Sequence, residues 1–221
     1  MSVLWAVLWK DLLCEWRSRD RVAAMAVFSL LVVVVLYLAA PPGMEDASRA
    51  HVPGLLWVAA IFAAVLGLNR AFAQELENEA LSGLALAPAD RGWIFLGKAL
   101  ASFVILAVVV AATTVVFGLA FGVDFRPVAG RFAVVAALGC AGVCSVGTLL
   151  SAMAVRTAYR EVMLPLLLLP LLVPVLLGAV RATSLLLERG ELPGSAVQLL
   201  LVTDGVFLIV SFLGFEYVLD E

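Results

Sequence analysis

Asn69–Arg91, NRAFAQELENEALSGLALAPADR, is a densely polar stretch set between two long apolar runs. Phe72, Leu76, Ala80, Gly83, Leu84 and Ala87 recur in it at helical spacing, while Glu75, Glu79 and Ser82 share another face beside Glu77 and Asn78. Pro88 stops that helix, and Asp90 is placed to cap the next one, because its side chain accepts an orphan N–H. The pattern predicts a short amphipathic helix with an acidic face, then a turn, then the entry to a span. Such a segment is either a solvated connector or a helix that docks in a groove of a soluble partner. As a docking helix it would transmit motion, being rigidly continuous with the spans on both sides.

Outward from this stretch the chain is lipid-soluble. Apolar residues make up 64% of it and charged residues 14%, and the mean hydropathy is +1.13. An ordinary soluble domain is roughly 45–50% apolar, and a soluble fold of this size could not hide so much apolar surface. The runs are continuous and do not alternate, which excludes a strand barrel. Six of them reach the length a spanning helix needs: Val22–Ala40, Val52–Leu68, Ile94–Gly122, Phe132–Val155, Val162–Val180 and Val197–Leu219. The expected fold is an all-α integral membrane bundle forming one domain over residues 1–221. An amphipathic arm covers residues 1–21 and the polar loop residues 69–92. A polar arm precedes the first run and prolines follow Ala39 and Ala40, so the run does not read as a cleavable signal.

With the N-terminus inside, Lys10, Arg17, Arg19, Arg21, Arg70, Arg91, Lys98, Arg156 and Arg160 fall on the cytoplasmic side, against Arg49, Arg126, Arg131, Arg181 and Arg189 outside. The basic excess predicts that both termini lie in the cytoplasm. Trp16 and Trp93 are expected at the inner boundary, Tyr37 and Trp57 at the outer one. In the arm, Trp5, Trp9, Leu12, Leu13 and Trp16 share one helical face and Lys10, Asp11 and Arg17 occupy the rest, which reads as a helix lying in the membrane surface. It is either an anchor alone or an anchor that also touches a partner.

The net charge of −3 and the lack of a basic patch with interleaved aromatics give no support for nucleic-acid binding. Gly92, Gly97 and Lys98 have the spacing of a phosphate-binding loop. Ala99 stands where the magnesium-binding hydroxyl belongs, and bulky apolar residues fill the loop, so the chain is not expected to hydrolyse ATP. No catalytic or metal-binding constellation is expected. Cys140 and Cys144 read as packing residues, and a lone histidine, His51, is not expected to hold haem iron.

Almost no ionisable residues occupy span centres, which argues against a proton-coupled carrier and a polar-substrate channel. Packing signals stand there instead. Gly118 and Gly122 form a GxxxG pair in the third span, and Gly139, Gly142, Ser145, Gly147 and Ser151 crowd the fourth. Both spans are expected in close helix–helix seams. Pro165, Pro170 and Pro174 in the fifth span predict a bend, either a static kink or a hinge.

Several segments together resemble the CcmB family, the haem exporter B proteins of cytochrome c maturation. They are Lys10-Asp11-Leu12 with Glu15 and Arg17, Gly54 to Ala59, Gly67 to Phe72, Glu75-Leu76-Glu77, Leu84 to Arg91, Gly97-Lys98, the proline-rich run Leu164 to Val175, and Phe215-Glu216-Tyr217. They cover nearly the whole chain. The resemblance implies an ABC-2-like permease of six spans, working with an ATPase subunit, CcmA, that holds the ATP and magnesium. It further implies CcmC and CcmD as neighbours and the haem chaperone CcmE as a transient partner. Haem would be handled by the complex, with none bound directly by this subunit, and two permease copies are expected. The coupling residues would be Arg70, Glu75, Glu77, Asn78, Glu79, Pro88, Asp90 and Arg91. Two other readings stay open: an ABC-2 exporter moving another lipid or small molecule, and a membrane assembly scaffold that transports nothing.

Overall fold

Pro170 and Pro174 bracket a sharp bend in the backbone. A proline ring removes an N–H and clashes with the preceding turn, and the helix between them breaks at Leu172 with a bend of 58°. The backbone crosses the break through two bonds, Leu172 N to Leu168 O and Leu176 N to Leu172 O. Pro165 lies inside the first half without interrupting it.

The computed structural model describes residues 3–39, 45–77, 91–154, 157 and 159–218. Every regular element among them is helical: α1 (Val3–Ser18), α2 (Asp20–Ala39), α3 (Glu45–Glu77), α4 (Arg91–Phe121), a 3-10 turn (Arg126–Val128), α5 (Ala129–Ala154), α6 (Arg160–Leu171), α7 (Val173–Arg189) and α8 (Gly194–Val218). Five helices are long and apolar enough to cross a membrane, and the bent pair α6–α7 makes a sixth crossing if it counts as one span. The fifth span bends, as its prolines predict, but the bend is a full break at Leu172, and the second half runs on past the expected end at Val180 to Arg189. The second span also outruns its expected end, because α3 stays helical to Glu77.

The spans divide into centre and periphery. In α3 and α5, 67% and 61% of the spanning window is buried, against 17% in α2 and 22% in α8. Small residues on α5 explain its place. A Cβ at Gly139 would lie 2.2 Å from the ring of Trp57, and one at Gly147 would lie 2.4 Å from Leu68 Cδ1. Removing side chains from α5 lets the large residues of α3 fill the gap, the usual means of bringing membrane helices close. Trp57 is thus buried in the bundle (1% exposed), where a position in an outer aromatic belt was expected. Its indole N–H finds a partner inside, Thr183 Oγ1 at 3.0 Å.

Gly118 and Gly122 serve the end of α4 within this chain. Gly122 is left-handed, with φ 64°, and Val123 N–H returns to the Gly118 carbonyl at 3.0 Å. That is the closing bond of a glycine-terminated helix, which satisfies a carbonyl the helix leaves orphaned.

Candidate functional site at the charged end of the bundle

The polar stretch joins α3 to α4, so its two anchors are the end of α3 and the start of α4. Each carries an arginine tied to a different helix. Arg70 on α3 donates to the backbone oxygen of Asp20 at 3.2 Å. Arg91 on α4 donates to the backbone oxygen of Glu216 at 3.1 Å, in the last turn of α8. Carbonyls in that turn have no intrahelical donor, so Arg91 supplies one. The start of α2, the end of α3, the start of α4 and the end of α8 therefore share one end of the bundle. At the other end, Arg131 on α5 donates to the Gly190 carbonyl after α7.

α1 is built into the same charged end. Its Trp5, Trp9 and Trp16 are exposed (60%, 65% and 74%), the outward apolar face expected of a surface helix. The opposite face buries Val7, Leu8 and Glu15. Val7 lies on Gly97 of α4, where an added Cβ would stand 2.9 Å from Val7 Cβ and 3.0 Å from the Leu4 carbonyl. One residue on, Lys98 is buried and pairs with Asp11 at 3.4 Å. Gly97 and Lys98, the pair that mimicked a phosphate loop, thus lie in a continuous helix: the glycine admits α1 and the lysine holds it.

The join between α1 and α2 is a single left-handed residue, Arg19, with φ 57°. Arg19 stacks its guanidinium 5.7 Å over the Trp16 ring. Glu15 reaches across the join, and its carboxylate accepts the Val22 N–H at 2.8 Å. Early N–H groups of a helix lack intrahelical acceptors, so Glu15 caps α2 from the preceding helix. Two residues into α2, Arg21 is buried and donates to Ser102 Oγ of α4 at 3.0 Å. Gly67 of α3 makes room for this group: an added Cβ would meet Met25 Sδ at 2.5 Å and Arg21 Nε at 3.3 Å. Five helices, α1 to α4 and α8, are therefore linked by polar contacts at the end where the polar stretch emerges.

Of the residues singled out in that stretch, Arg70 and Arg91 are tied down as described. Glu75 and Glu77 lie on the last turns of α3. Asn78, Glu79, Pro88 and Asp90 fall outside the described residues. The sequence reading gave no weight to Asp11, Glu15, Arg21 or Lys98 as a set. Their signal was present as charges placed next to span entries, where a buried charge needs a partner.

A second omission lies deeper. Asp204 is the eleventh of the 25 residues of α8, well inside the sixth span, and the sequence reading gave it no role. Its neighbours Val202, Thr203, Gly205 and Val206 give it no flanking charge, so a window average hides it.

The sequence profile described as "CcmB protein" matches residues 2–214. The chain belongs to the CcmB family. Similar proteins include heme exporter protein B of Bradyrhizobium diazoefficiens, 26% identical over 211 residues that cover 96% of this chain and 94% of that protein. The heme exporter protein B of Paracoccus denitrificans is 30% identical over 177 residues, 80% of each chain. That of Escherichia coli K12 is 27% identical over 103 residues, 47% of this chain and 46% of the relative. Family membership and the apolar helices together make this a multi-pass membrane protein.

Proposed function

We propose that this CcmB-family chain is the permease subunit of an ABC-type complex of cytochrome c maturation. In this reading it converts ATP hydrolysis by a separate ATPase subunit, CcmA, into movement of the bundle. That movement drives haem export or the release of the haem-loaded chaperone CcmE, alongside CcmC and CcmD. Two copies of the permease serve two ATPase subunits, in the inner membrane, with both termini in the cytoplasm.

The observation that carries the reading is the mechanical continuity of the charged end. α3 runs unbroken from the membrane to Glu77, and α4 begins at Arg91. Both are tied to other helices through Arg70, Arg91, Lys98 and Ser102. A load applied between Asn78 and Asp90 would reach α2 through Arg70 and Arg21, α8 through Arg91, and α1 through Lys98. The sequence spaces Glu75 and Glu79 four residues apart, and their charge gives the load a point of application.

The test is reversal of Glu75 and Glu79 to lysine together. Normal membrane insertion with loss of ATPase subunit pull-down, and loss of cytochrome c yield, is the expected result. Pull-down at wild-type strength with unchanged yield would overturn the coupling role and leave the scaffold reading in its place.

A further inference from the structure

Asp204 is a carboxylic acid in a place that offers it no charge partner. At 1.5 Å per residue it stands about 15 Å along α8 from Gly194, deep in the crossing. Both of its carboxyl oxygens are shielded from the surface and make no hydrogen bond among the described residues. They point at α5: a Cβ on Gly142 would lie 2.2 Å from Asp204 Oδ1 and 3.0 Å from Val175 Cγ2. The carboxyl group therefore occupies the notch left by a missing side chain on α5, at the point where the first turn of α7 also arrives.

The groups that could balance a negative charge there can be named helix by helix. α5 brings the buried thiol of Cys140, which offers no positive charge, and its one cation, Arg131, stands about three turns before Gly142. α7 brings Val175, and its ionisable residues, Arg181, Glu188 and Arg189, come one and a half turns or more further along. α4 has no ionisable residue from Ala99 to Phe121. α8 itself has Glu216 and Tyr217, both near its far end. Among the described residues, no cation faces the carboxyl group from any helix packed on it. In a bilayer, intramembrane acids persist where they pair, face water or exchange a proton. An unpaired carboxylate clamped in a glycine notch carries a desolvation cost with nothing to offset it.

We propose that Asp204 is a proton-binding site, and that the bound proton is what allows α5 and α8 to close on each other at Gly142. One proton adds to one carboxylate oxygen, giving a neutral acid that fits the notch as an uncharged polar side chain. When the proton leaves, the charge that remains draws water into the seam beside the break at Leu172. This site stands apart from the charged end and does not depend on the coupling role proposed above.

Infrared spectroscopy of the full chain in lipid nanodiscs tests this directly. The wild-type spectrum minus that of Asp204→Asn is expected to show the C=O stretch of a protonated carboxylic acid. If the site titrates in the accessible range, that band gives way to carboxylate bands, falling about ten-fold per pH unit beyond the midpoint. A band that persists at every pH supports the site equally. Carboxylate bands alone at every pH overturn it. Should Asp204→Asn fail to insert, wild-type membranes treated with dicyclohexylcarbodiimide decide the matter. This apolar reagent modifies protonated acids within lipid, and peptide mass mapping is expected to find the adduct on Asp204. An unmodified Asp204, or one modified only by a water-soluble carbodiimide, overturns the proposal.

Discussion

The indole N–H of Trp57 donates to Thr183 Oγ1 at 3.0 Å, and the same hydroxyl donates onward to the Ala179 carbonyl at 2.7 Å. One hydroxyl thus accepts from α3 and gives to its own helix, α7. The Trp57 ring spreads over Gly139 of α5. Three spans meet at this ring, one polar contact to one side and one glycine contact to the other.

Substitutions at this point are expected to rank. Gly139→Ala places a methyl group 2.2 Å from a rigid buried ring, and overpacking of this kind costs about 1–3 kcal/mol. Trp57→Phe keeps most of the ring and gives up one hydrogen bond, worth about 1 kcal/mol. Thermal unfolding in detergent micelles should show both variants below wild type. Thr183→Val is expected to sit close to Trp57→Phe, because it leaves the indole N–H buried without an acceptor.

The elbow between α1 and α2 gives a second ranking. Glu15→Ala removes the cap of α2 and is expected to cost roughly 1 kcal/mol. Arg19→Gly is expected to be tolerated, since glycine adopts φ near 57° without strain. Arg19→Val is expected to disrupt the elbow. Limited proteolysis of membrane vesicles reads these differences as faster cleavage near residue 19 in Glu15→Ala and Arg19→Val, and unchanged cleavage in Arg19→Gly.

The Asp11–Lys98 pair predicts a rescue. Asp11→Asn weakens a hydrogen bond to a buried ammonium, on the order of 2 kcal/mol, and loosens α1 from α4. Asp11→Lys places two cations together and is expected to be worse. The exchange Asp11→Lys with Lys98→Asp restores opposite charges across the same contact and should recover a large part of the loss. Thermal unfolding in detergent micelles measures the loss and its recovery.

The broken span can be straightened on paper by two substitutions. Pro174→Ala returns an N–H to the turn where the bend forms, and Pro170→Ala relieves the clash behind it. The double variant is expected to lower the 58° bend, measured as a longer distance between spin labels at Glu161 and Glu188. If the break is a working hinge, cytochrome c yield falls while insertion is unchanged. If it is a static kink, yield stays at the wild-type level.

The bundle was legible in the sequence because lipid imposes one pattern on a spanning helix, a long apolar run, and composition alone reveals it. Helix ends were less legible. α3 outruns its apolar window because its last turns carry charge, and charge reads as loop. The break at Leu172 was signalled by two prolines four residues apart, although its size was not. Trp57 was misplaced because tryptophan at a run's edge usually marks a boundary, whereas the glycine that receives its ring lies 82 residues away. The same distance problem concealed the Lys98–Asp11 and Arg21–Ser102 pairs. Asp204 escaped because one carboxylate among apolar neighbours barely changes a hydropathy average.

Burial of two of the three cysteines has a practical consequence. Cys140 and Cys144 are enclosed within the bundle, while Cys14 is exposed on α1. A maleimide dye added to the unmodified protein should therefore attach at one position, on the face of the helix that carries the elbow. The natural chain comes with its own site for a fluorescent reporter, so movement of that helix can be followed without deleting a native thiol.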